Sequence, residues 1–282
     1  MAVNNFGGEE VLYSYDESGI IIVPVPYDFT STYIRGADRG PAAIIEASPA
    51  LEFYDVETGA EAHKQGIFTL PPLDTGDDPE ELTEAVYQTV SKIFADKRLP
   101  VVIGGNHTVS IGAFRAAAEA FKDLTILQLD AHSDLRQVYE GSQLNHACAA
   151  ARAREYASLV QVGIRSMAAE ELPYVDRNRI FYAHELWSDK SLYDKALSLL
   201  TGNVYITIDL DVFDPSVMPS TGTPEPGGPD YRELMNFLRE VFRKRNVTGF
   251  DVVELCPSEI NKAPDFMAAK IIYQMLCYRF AG

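Results

Sequence analysis

Short apolar runs alternate along the chain with segments of helical periodicity. The apolar runs that predict strands are 20–25, 100–103, 124–129, 159–162, 180–182, 204–208 and 247–253. Apolar residues recur at helical spacing between most of these runs, notably in 41–47, 79–97, 108–121, 191–200, 231–244 and 264–279. Strands that alternate with helices usually form a mostly parallel sheet covered on both faces. The pattern therefore predicts an α/β fold of this kind.

The length of 282 residues allows one large α/β domain or two smaller ones. No repeat and no linker rich in Pro, Gly and Ser divides the chain, so we predict a single domain over residues 1–282. The Pro- and Gly-rich stretch 214–229 directly follows a predicted strand, and we interpret it as an active-site loop. Hydrophobic residues make up 46% of the chain, but no apolar run approaches the roughly 18 residues of a membrane span.

Charge, cysteine content and the N-terminal segment indicate a cytoplasmic protein. The first 18 residues are polar and acidic, unlike a secretory signal. Three widely spaced cysteines, Cys148, Cys256 and Cys277, predict buried thiols in a reducing compartment. The net charge of −17 argues against a nucleic-acid partner, whose binding requires Lys and Arg at the phosphates. Such a charge ordinarily keeps a protein soluble, although it also attracts a cationic substrate.

Acidic and imidazole side chains follow the apolar run TILQL. Asp130, His132 and Asp134 alternate there, and side chains two apart on an extended segment share a side. We therefore expect them to converge beyond the carboxyl end of the strand, where open parallel sheets bind ligands. Two carboxylates and an imidazole gathered there are strongly destabilised unless a cation joins them. This pattern predicts a metal site.

Two further strand ends repeat the arrangement. Asp209 and Asp211 close the run VYITI, and His107 follows the run VVI after two glycines that we expect to permit a tight turn. The donors total two imidazoles and four carboxylates, more than one metal needs. They point to two metals about 3.5–4 Å apart with bridging carboxylates. Because the set is rich in oxygen and lacks thiolate, it favours manganese over zinc, with magnesium and nickel left open.

These segments resemble the metal-binding motifs of the ureohydrolase family, which includes arginase and agmatinase. The family motifs are GGDH, DAHxD and SxDxDxxDP, and this chain has GGNH at 104–107, DAHSD at 130–134 and TIDLDVFDP at 207–215. The similarity extends to 35–48, to STGTPEPGG at 220–228 and to DVVELCP at 251–257, so that it covers most of the chain. The resemblance implies a three-layer α/β/α sandwich, and an enzyme that hydrolyses a guanidino compound to urea and an amine.

The resemblance also implies a role for each candidate residue. One metal would be held by His107, Asp130, Asp134 and Asp209. The other would be held by Asp130, His132, Asp209 and Asp211, with Asp130 and Asp209 bridging. Glu254 would pair with the substrate guanidinium, for which a carboxylate is the natural bidentate partner. His146 would shuttle protons. In the mechanism that we expect on general chemical grounds, Asp134 also helps to pass a proton to the leaving amine.

Several positions depart from the family pattern. Asn106 stands where the family usually has Asp, and an amide cannot lend negative charge to a neighbouring imidazole, so we expect a changed metal affinity. Asn145-His146-Ala147 replaces the more usual Ser-His-Gly, and Ile45 replaces a frequent Arg. The remaining histidines, His63 and His184, lie in other contexts and are interpreted as structural.

Agmatine, cleaved to putrescine and urea, is the expected substrate. The loop STGTPEPGG and the segment YEGSQLNHA at 139–147 are more similar to agmatinases than to arginases. Arg136 offers an alternative, since it could receive the carboxylate of arginine or guanidinobutyrate, although a loop arginine is usually solvated. Two other classes stay open: a metal-dependent deacetylase on a related fold, and a non-catalytic protein that kept the fold. We expect a small cationic guanidino partner, no nucleic acid and no membrane, and, from the family alone, a homotrimer or homohexamer.

Overall fold

The strands of the protein form one parallel sheet. The computed structural model describes residues 5–74 and 76–281. Within them the strands are β1 (Ile20–Val25), β2 (Ile67–Thr69), β3 (Leu99–Gly104), β4 (Leu124–Leu129), β5 (Ser158–Ile164), β6 (Ile180–Tyr182), β7 (Asn203–Asp209) and β8 (Asn246–Val253). Their order is β2-β1-β3-β8-β7-β4-β5-β6, and every neighbouring pair is parallel. The predicted parallel sheet is confirmed.

Helices cover both faces of this sheet. They are α1 (Gly40–Ala47), α2 (Pro79–Ala95), α3 (Ser110–Ala120), α4 (Ala149–Tyr156), α5 (Ala183–Ser188), α6 (Leu192–Ser198), α7 (Tyr231–Lys244) and α8 (Ala263–Phe280). Buried residues of α2, α3 and α4 share one hydrophobic core with one face of the sheet. Buried residues of α1, α5, α6, α7 and α8 form a second core with the other face. The fold is therefore the predicted three-layer α/β/α sandwich.

The predicted elements agree with the observed ones to within two residues at each end. Helix α2 shows the local reasons: Pro79 opens it, the Asp78 side chain accepts a hydrogen bond from the Glu80 amide, and its buried residues recur at helical spacing. Three elements were missed: β2, α4 and α5. Strand β2 has only three residues and pairs with β1 alone, and α4 buries mainly alanines, so neither shows a strong apolar pattern.

Cys148, Cys256 and Cys277 are buried free thiols, as predicted. Across residues 5–74 and 76–281, no helix combines the length and the apolar character that crossing a membrane requires.

Candidate metal centre and substrate cavity

The predicted metal ligands and Glu254 gather at the carboxyl edge of the sheet. The four central strands β3, β8, β7 and β4 are neighbours, and each leads into a segment that carries site residues. These residues are His107 after β3, Glu254 after β8, Asp209 and Asp211 at the end of β7, and Asp130, His132 and Asp134 after β4. Since parallel strands end at the same edge, this topology brings together groups that are far apart in sequence.

The backbone before His107 runs closely against the loop that follows β1. The backbone N–H of Asn106 donates a hydrogen bond to the Tyr27 carbonyl (2.8 Å). A Cβ on Gly105 would lie 1.9 Å from that same oxygen. Glycine is thus required at position 105 for close approach of the two backbones, and the chain bends at Gly105 and Asn106 before it reaches His107. The Asn106 side chain then accepts a hydrogen bond from the Thr108 amide (3.2 Å) and caps the short 3₁₀ helix that begins at His107.

Asp130, His132 and Asp134 converge, but not through the predicted alternation of an extended strand. Strand β4 ends before them, and Asp134 has a left-handed φ of 51°. The Asp130 carboxylate accepts a hydrogen bond from the His132 amide (2.6 Å), and the Ala131 amide donates to Asp211 Oδ1 (3.1 Å). A hydrogen-bonded turn therefore brings the three side chains together, and strand periodicity does not predict its shape.

One group of donors surrounds a ring nitrogen of His107. Its Nδ1 lies 3.2 Å from Asp130 Oδ2, 3.1 Å from Asp134 Oδ2 and 3.5 Å from Asp209 Oδ2. This buried nitrogen makes no hydrogen bond with any residue that the structure describes. A divalent cation placed among these four atoms would satisfy all of them, and imidazole and carboxylate are suitable ligands for manganese-like ions. The residues therefore fit a metal ion.

A second group adjoins the first. His132 Nδ1 lies 2.8 Å from Asp211 Oδ2 and 3.8 Å from Asp130 Oδ1. Asp130 thus belongs to both groups, as expected of a bridging ligand. Asp209 Oδ1 accepts a hydrogen bond from the Asp211 backbone amide (2.8 Å), while Asp209 Oδ2 faces the first group. The structure therefore assembles all six predicted donors, and the bridging role of Asp209 stays a prediction.

Burial and mutual repulsion shift the acids and bases of both groups. Burial, together with Asp134 and Asp211, raises the pKa of Asp130 to about 7. Burial also raises the pKa of Asp209 well above its usual range. Burial alone would lower the pKa of His132, but the charges of Asp211 and Asp130 outweigh it and raise that pKa to about 11. Protons thus offset part of the clustered negative charge, and bound divalent cations replace protons of this kind.

A row of polar side chains lies beneath the donor groups. Gln161, Gln128, Thr207 and Asp251 are aligned in register across β5, β4, β7 and β8. Gln161 Nε2 donates to Gln128 Oε1 (2.8 Å), and Gln128 Nε2 donates to Asp130 Oδ2 (2.7 Å). The glutamines therefore orient the carboxylate that both donor groups share.

Thr207 connects His107 to a buried carboxylate. His107 Nε2 lies 2.9 Å from Thr207 Oγ1, and the Thr207 hydroxyl donates to Asp251 Oδ1 (2.5 Å). Because that hydroxyl gives its only proton to Asp251, His107 Nε2 must be the donor, which leaves Nδ1 for a metal. Because an amide stands at position 106, this imidazole was expected to lack a charged neighbour there. The Asn106 side chain donates to Thr30 Oγ1 (2.7 Å), and a different carboxylate, Asp251, supports the imidazole through Thr207, so the changed metal affinity stays a prediction.

The sequence interpretation assigned no role to the two glutamines, to Thr207 or to Asp251. A signal for two of them was present in the pattern: Gln128 and Thr207 are polar residues inside apolar strands, each two positions before an aspartate predicted to bind metal. In a strand that spacing places both side chains on the same face, so a supporting role can be predicted from it.

Glu254 and His146 line a cavity of about 220 Å³ beside the donor groups. Glu254 has a left-handed φ of 68°, a strained conformation of the kind found at functional sites. Its Oε1 accepts the His107 amide (2.8 Å), and burial raises the pKa of its carboxyl to about 8. Burial lowers the pKa of His146, whose Nδ1 lies 3.4 Å from Thr30 Oγ1. An acid and a neutral imidazole therefore face the same space as the donor groups.

Arg136 forms part of the cavity wall. Its guanidinium lies 4.5 Å from the centre of the Tyr139 ring, and its Nε lies 2.9 Å from Glu170. Its side chain is 27% exposed and its partner Glu170 is 68% exposed, so Arg136 lies at the boundary between the cavity and solvent. His63 and His184 each lie beside a tyrosine away from the donor groups, in agreement with their structural interpretation.

Fold and site together define a hydrolase of the ureohydrolase class: a parallel α/β/α sandwich with imidazole and carboxylate donors and a buried glutamate at the carboxyl edge. The profile of the Arginase family matches residues 18–277. The chain therefore belongs to the arginase family, and it is an enzyme.

Individual relatives are similar over nearly the whole chain. The N(1)-aminopropylagmatine ureohydrolase of Synechocystis sp. is 36% identical, covering 95% of this chain and 92% of that protein. The agmatinase of Pyrococcus horikoshii is 30% identical, covering 92% of each. The crystal structure of the agmatine ureohydrolase of Thermoplasma volcanium has a TM-score of 0.89 at 28% identity, covering 99% of this chain and 95% of that one.

Proposed function

We propose that this chain hydrolyses the guanidino group of agmatine, or of an agmatine that carries an added aminopropyl group, releasing urea and an amine. The observation that carries the proposal is the position of Glu254, a buried carboxyl that faces the same cavity as the two donor groups. A guanidinium paired with this carboxylate would stabilise its ionised form and would bring the central carbon of the substrate beside the donor groups.

The proposed cofactor is a pair of manganese ions. His107, Asp130, Asp134 and Asp209 would hold one ion, and Asp130, His132, Asp209 and Asp211 would hold the other. Two ions bound there would lower the pKa of a water molecule to near neutrality. The absence of thiolate from the donor set favours manganese.

The remaining residues would position the substrate and move protons. Glu254 would fix the planar guanidinium by a bidentate pair, with its own backbone held by a hydrogen bond to the Gly105 carbonyl (2.7 Å). Asp134 would accept a proton from the attacking water and pass it to the leaving amine. His146 is kept neutral by burial, so its imidazole can accept a proton and exchange it with solvent.

Two substrates of this class are candidates. Agmatine fits the acidic chain and the carboxylate-rich cavity, because it carries a cation at each end. N(1)-aminopropylagmatine is favoured by the similarity to the Synechocystis sp. ureohydrolase that is named for this substrate, at 36% identity. It is also favoured by the open rim of the cavity, where Tyr33 and Ile34 are 74% and 42% exposed and leave room for a longer amine. Arg136 already pairs with Glu170, so a carboxylate-bearing substrate is disfavoured.

Urea release from matched, sub-saturating concentrations of four compounds tests the proposal. We expect kcat/KM for agmatine and for its aminopropyl derivative to exceed that for arginine and guanidinobutyrate by at least about tenfold, or about 1.4 kcal/mol. Arg136→Ala serves as the matched variant and should leave this ranking unchanged. A preference for arginine or guanidinobutyrate that Arg136→Ala abolishes would contradict the proposal and would assign Arg136 to a substrate carboxylate.

A further inference from the structure

Backbone carbonyl groups enclose the guanidinium of Arg165. This residue directly follows β5, and its side chain is partly buried. Its Nη1 and Nη2 donate to the carbonyl oxygens of Gly163 (3.1 Å), Asp211 (2.7 Å), Val212 (3.1 Å), Phe213 (3.2 Å) and Glu225 (2.8 Å). A guanidinium presents its N–H groups in a rigid planar fork, and that fork can bridge several acceptors at once.

The acceptors of Arg165 belong to separate segments that meet at the second donor group. One segment is the turn that carries Asp211, and another is the loop that carries Glu225. The Arg165 amide also donates to the carbonyl of Ala131, the residue directly before His132 (2.8 Å). The Glu225 carboxylate lies 3.9 Å from His132 Nε2, whereas Asp211 lies at Nδ1 of the same ring. Arg165 thus links the backbones that place His132 and two of its acidic neighbours, Asp211 and Glu225.

We propose that Arg165 is a positioning residue of the second donor group. Its planar fork fixes the Asp211 turn and the Glu225 loop relative to His132, and so sets the affinity of that group for its divalent ion. Within the described part of the chain, the only donor residue that its side chain hydrogen-bonds is Asp211, which belongs to the second group alone, so we expect the effect to fall mainly on one of the two ions. The inference rests on the proposed two-metal centre.

The test compares Arg165→Met with a matched arginine variant. Arg245 also binds backbone carbonyls, those of Leu200 (3.0 Å) and Leu197 (2.9 Å), but it follows α7 and lies away from the donor groups. Manganese binding to the metal-free full-length chain is measured by calorimetry for the wild type, Arg165→Met, Arg165→Lys and Arg245→Met. Amide hydrogen exchange in 214–229, measured on the same metal-free proteins, gives a second readout that does not depend on the metal.

We expect Arg165→Met to bind one ion as the wild type does and the other about 10–100-fold more weakly, the range typical of groups that orient metal ligands. Exchange in 214–229 should become faster. Arg165→Lys should behave like Arg165→Met, because a single ammonium cannot span the carbonyls, and Arg245→Met should keep both ions and normal exchange. The proposal would be overturned by wild-type manganese affinity in Arg165→Met, by an equal loss of manganese affinity in Arg245→Met, or by wild-type manganese affinity in Arg165→Lys. A wild type that binds no manganese contradicts the proposed function instead, and exchange in 214–229 then decides the role of Arg165.

Discussion

Replacing Thr207 with Val tests the link between His107 and Asp251. Valine nearly conserves the volume but removes the hydroxyl that accepts from His107 Nε2 and donates to Asp251. Both partners are buried, at 1% and 0% exposure, so water cannot replace the lost bonds. Leaving a buried polar group without a partner costs about 1–3 kcal/mol, and two such groups give about 2–6 kcal/mol of lost stability. Ser110 still donates to Asp251 Oδ1 (3.0 Å), which favours the lower part of this range.

The same substitution should weaken manganese binding. Without a fixed acceptor at Nε2, the His107 ring loses its preferred tautomer and orientation, and we expect affinity to fall about 10–100-fold, or about 1.4–2.7 kcal/mol. Thr125→Val is the matched control: Thr125 is a buried strand threonine bonded to the Thr201 hydroxyl (2.8 Å) and amide (3.1 Å), in β4 at the end opposite the site. Denaturant unfolding of the metal-free proteins should show a lower free energy of unfolding in both variants, whereas calorimetry should show weaker manganese binding in Thr207→Val alone. Equal manganese affinities in the two variants would refute this reasoning.

Three further predictions concern single positions. Asn106→Asp should alter manganese affinity less than loss of the Thr207 hydroxyl does, since the Asn106 side chain hydrogen-bonds to Thr30 and Thr108 rather than to the imidazole of His107; calorimetry on both variants decides this. Glu254→Gln should retain both ions, shown by metal analysis, and raise KM about tenfold or more, because a neutral amide loses a charge-assisted pair with guanidinium; unchanged kinetics would show that the substrate is held elsewhere. Burial raises the pKa of Asp55, but hydrogen bonds from Thr58 and Gln274 outweigh it and lower that pKa below its usual value. Its stabilising contribution is therefore present above about pH 4 and is lost as the pH falls through the lowered value, so the stability gap between wild type and Asp55→Asn should narrow in acid.

Strand and helix positions were predictable from sequence because apolar periodicity reflects burial directly. The run Ile20–Val25 is buried at every position, and α2 buries one face of its helix. The missed elements are those whose formation depends on neighbours rather than on their own pattern. Strand β2 is held at the sheet edge by β1, and α4 contributes small alanine side chains to a core built mainly by others.

The identity of the site residues could be predicted from the sequence, but the contacts that arrange them could not. Donor residues at strand ends could be identified because parallel topology makes those ends meet. The left-handed φ of Asp134 and Glu254, the close approach at Gly105 and the carbonyl cage of Arg165 all depend on contacts between distant segments. Local periodicity carries no information about such contacts. For the same reason the sequence indicated that Asn106 withholds charge from its neighbour His107, but it did not identify Thr207, on another strand, as the residue that supports this imidazole.

The central claim is that two adjoining donor groups hold two divalent ions and that urea release depends on both. Manganese titration of the metal-free chain, with urea release from agmatine followed at each addition, tests this most directly. We expect saturation at about two ions per chain, with urea release rising mainly on the second equivalent, and loss of both ions in Asp130→Ala and Asp209→Ala. Saturation at one ion with Asp209→Ala still fully loaded, or full urea release from metal-free protein, would contradict the account.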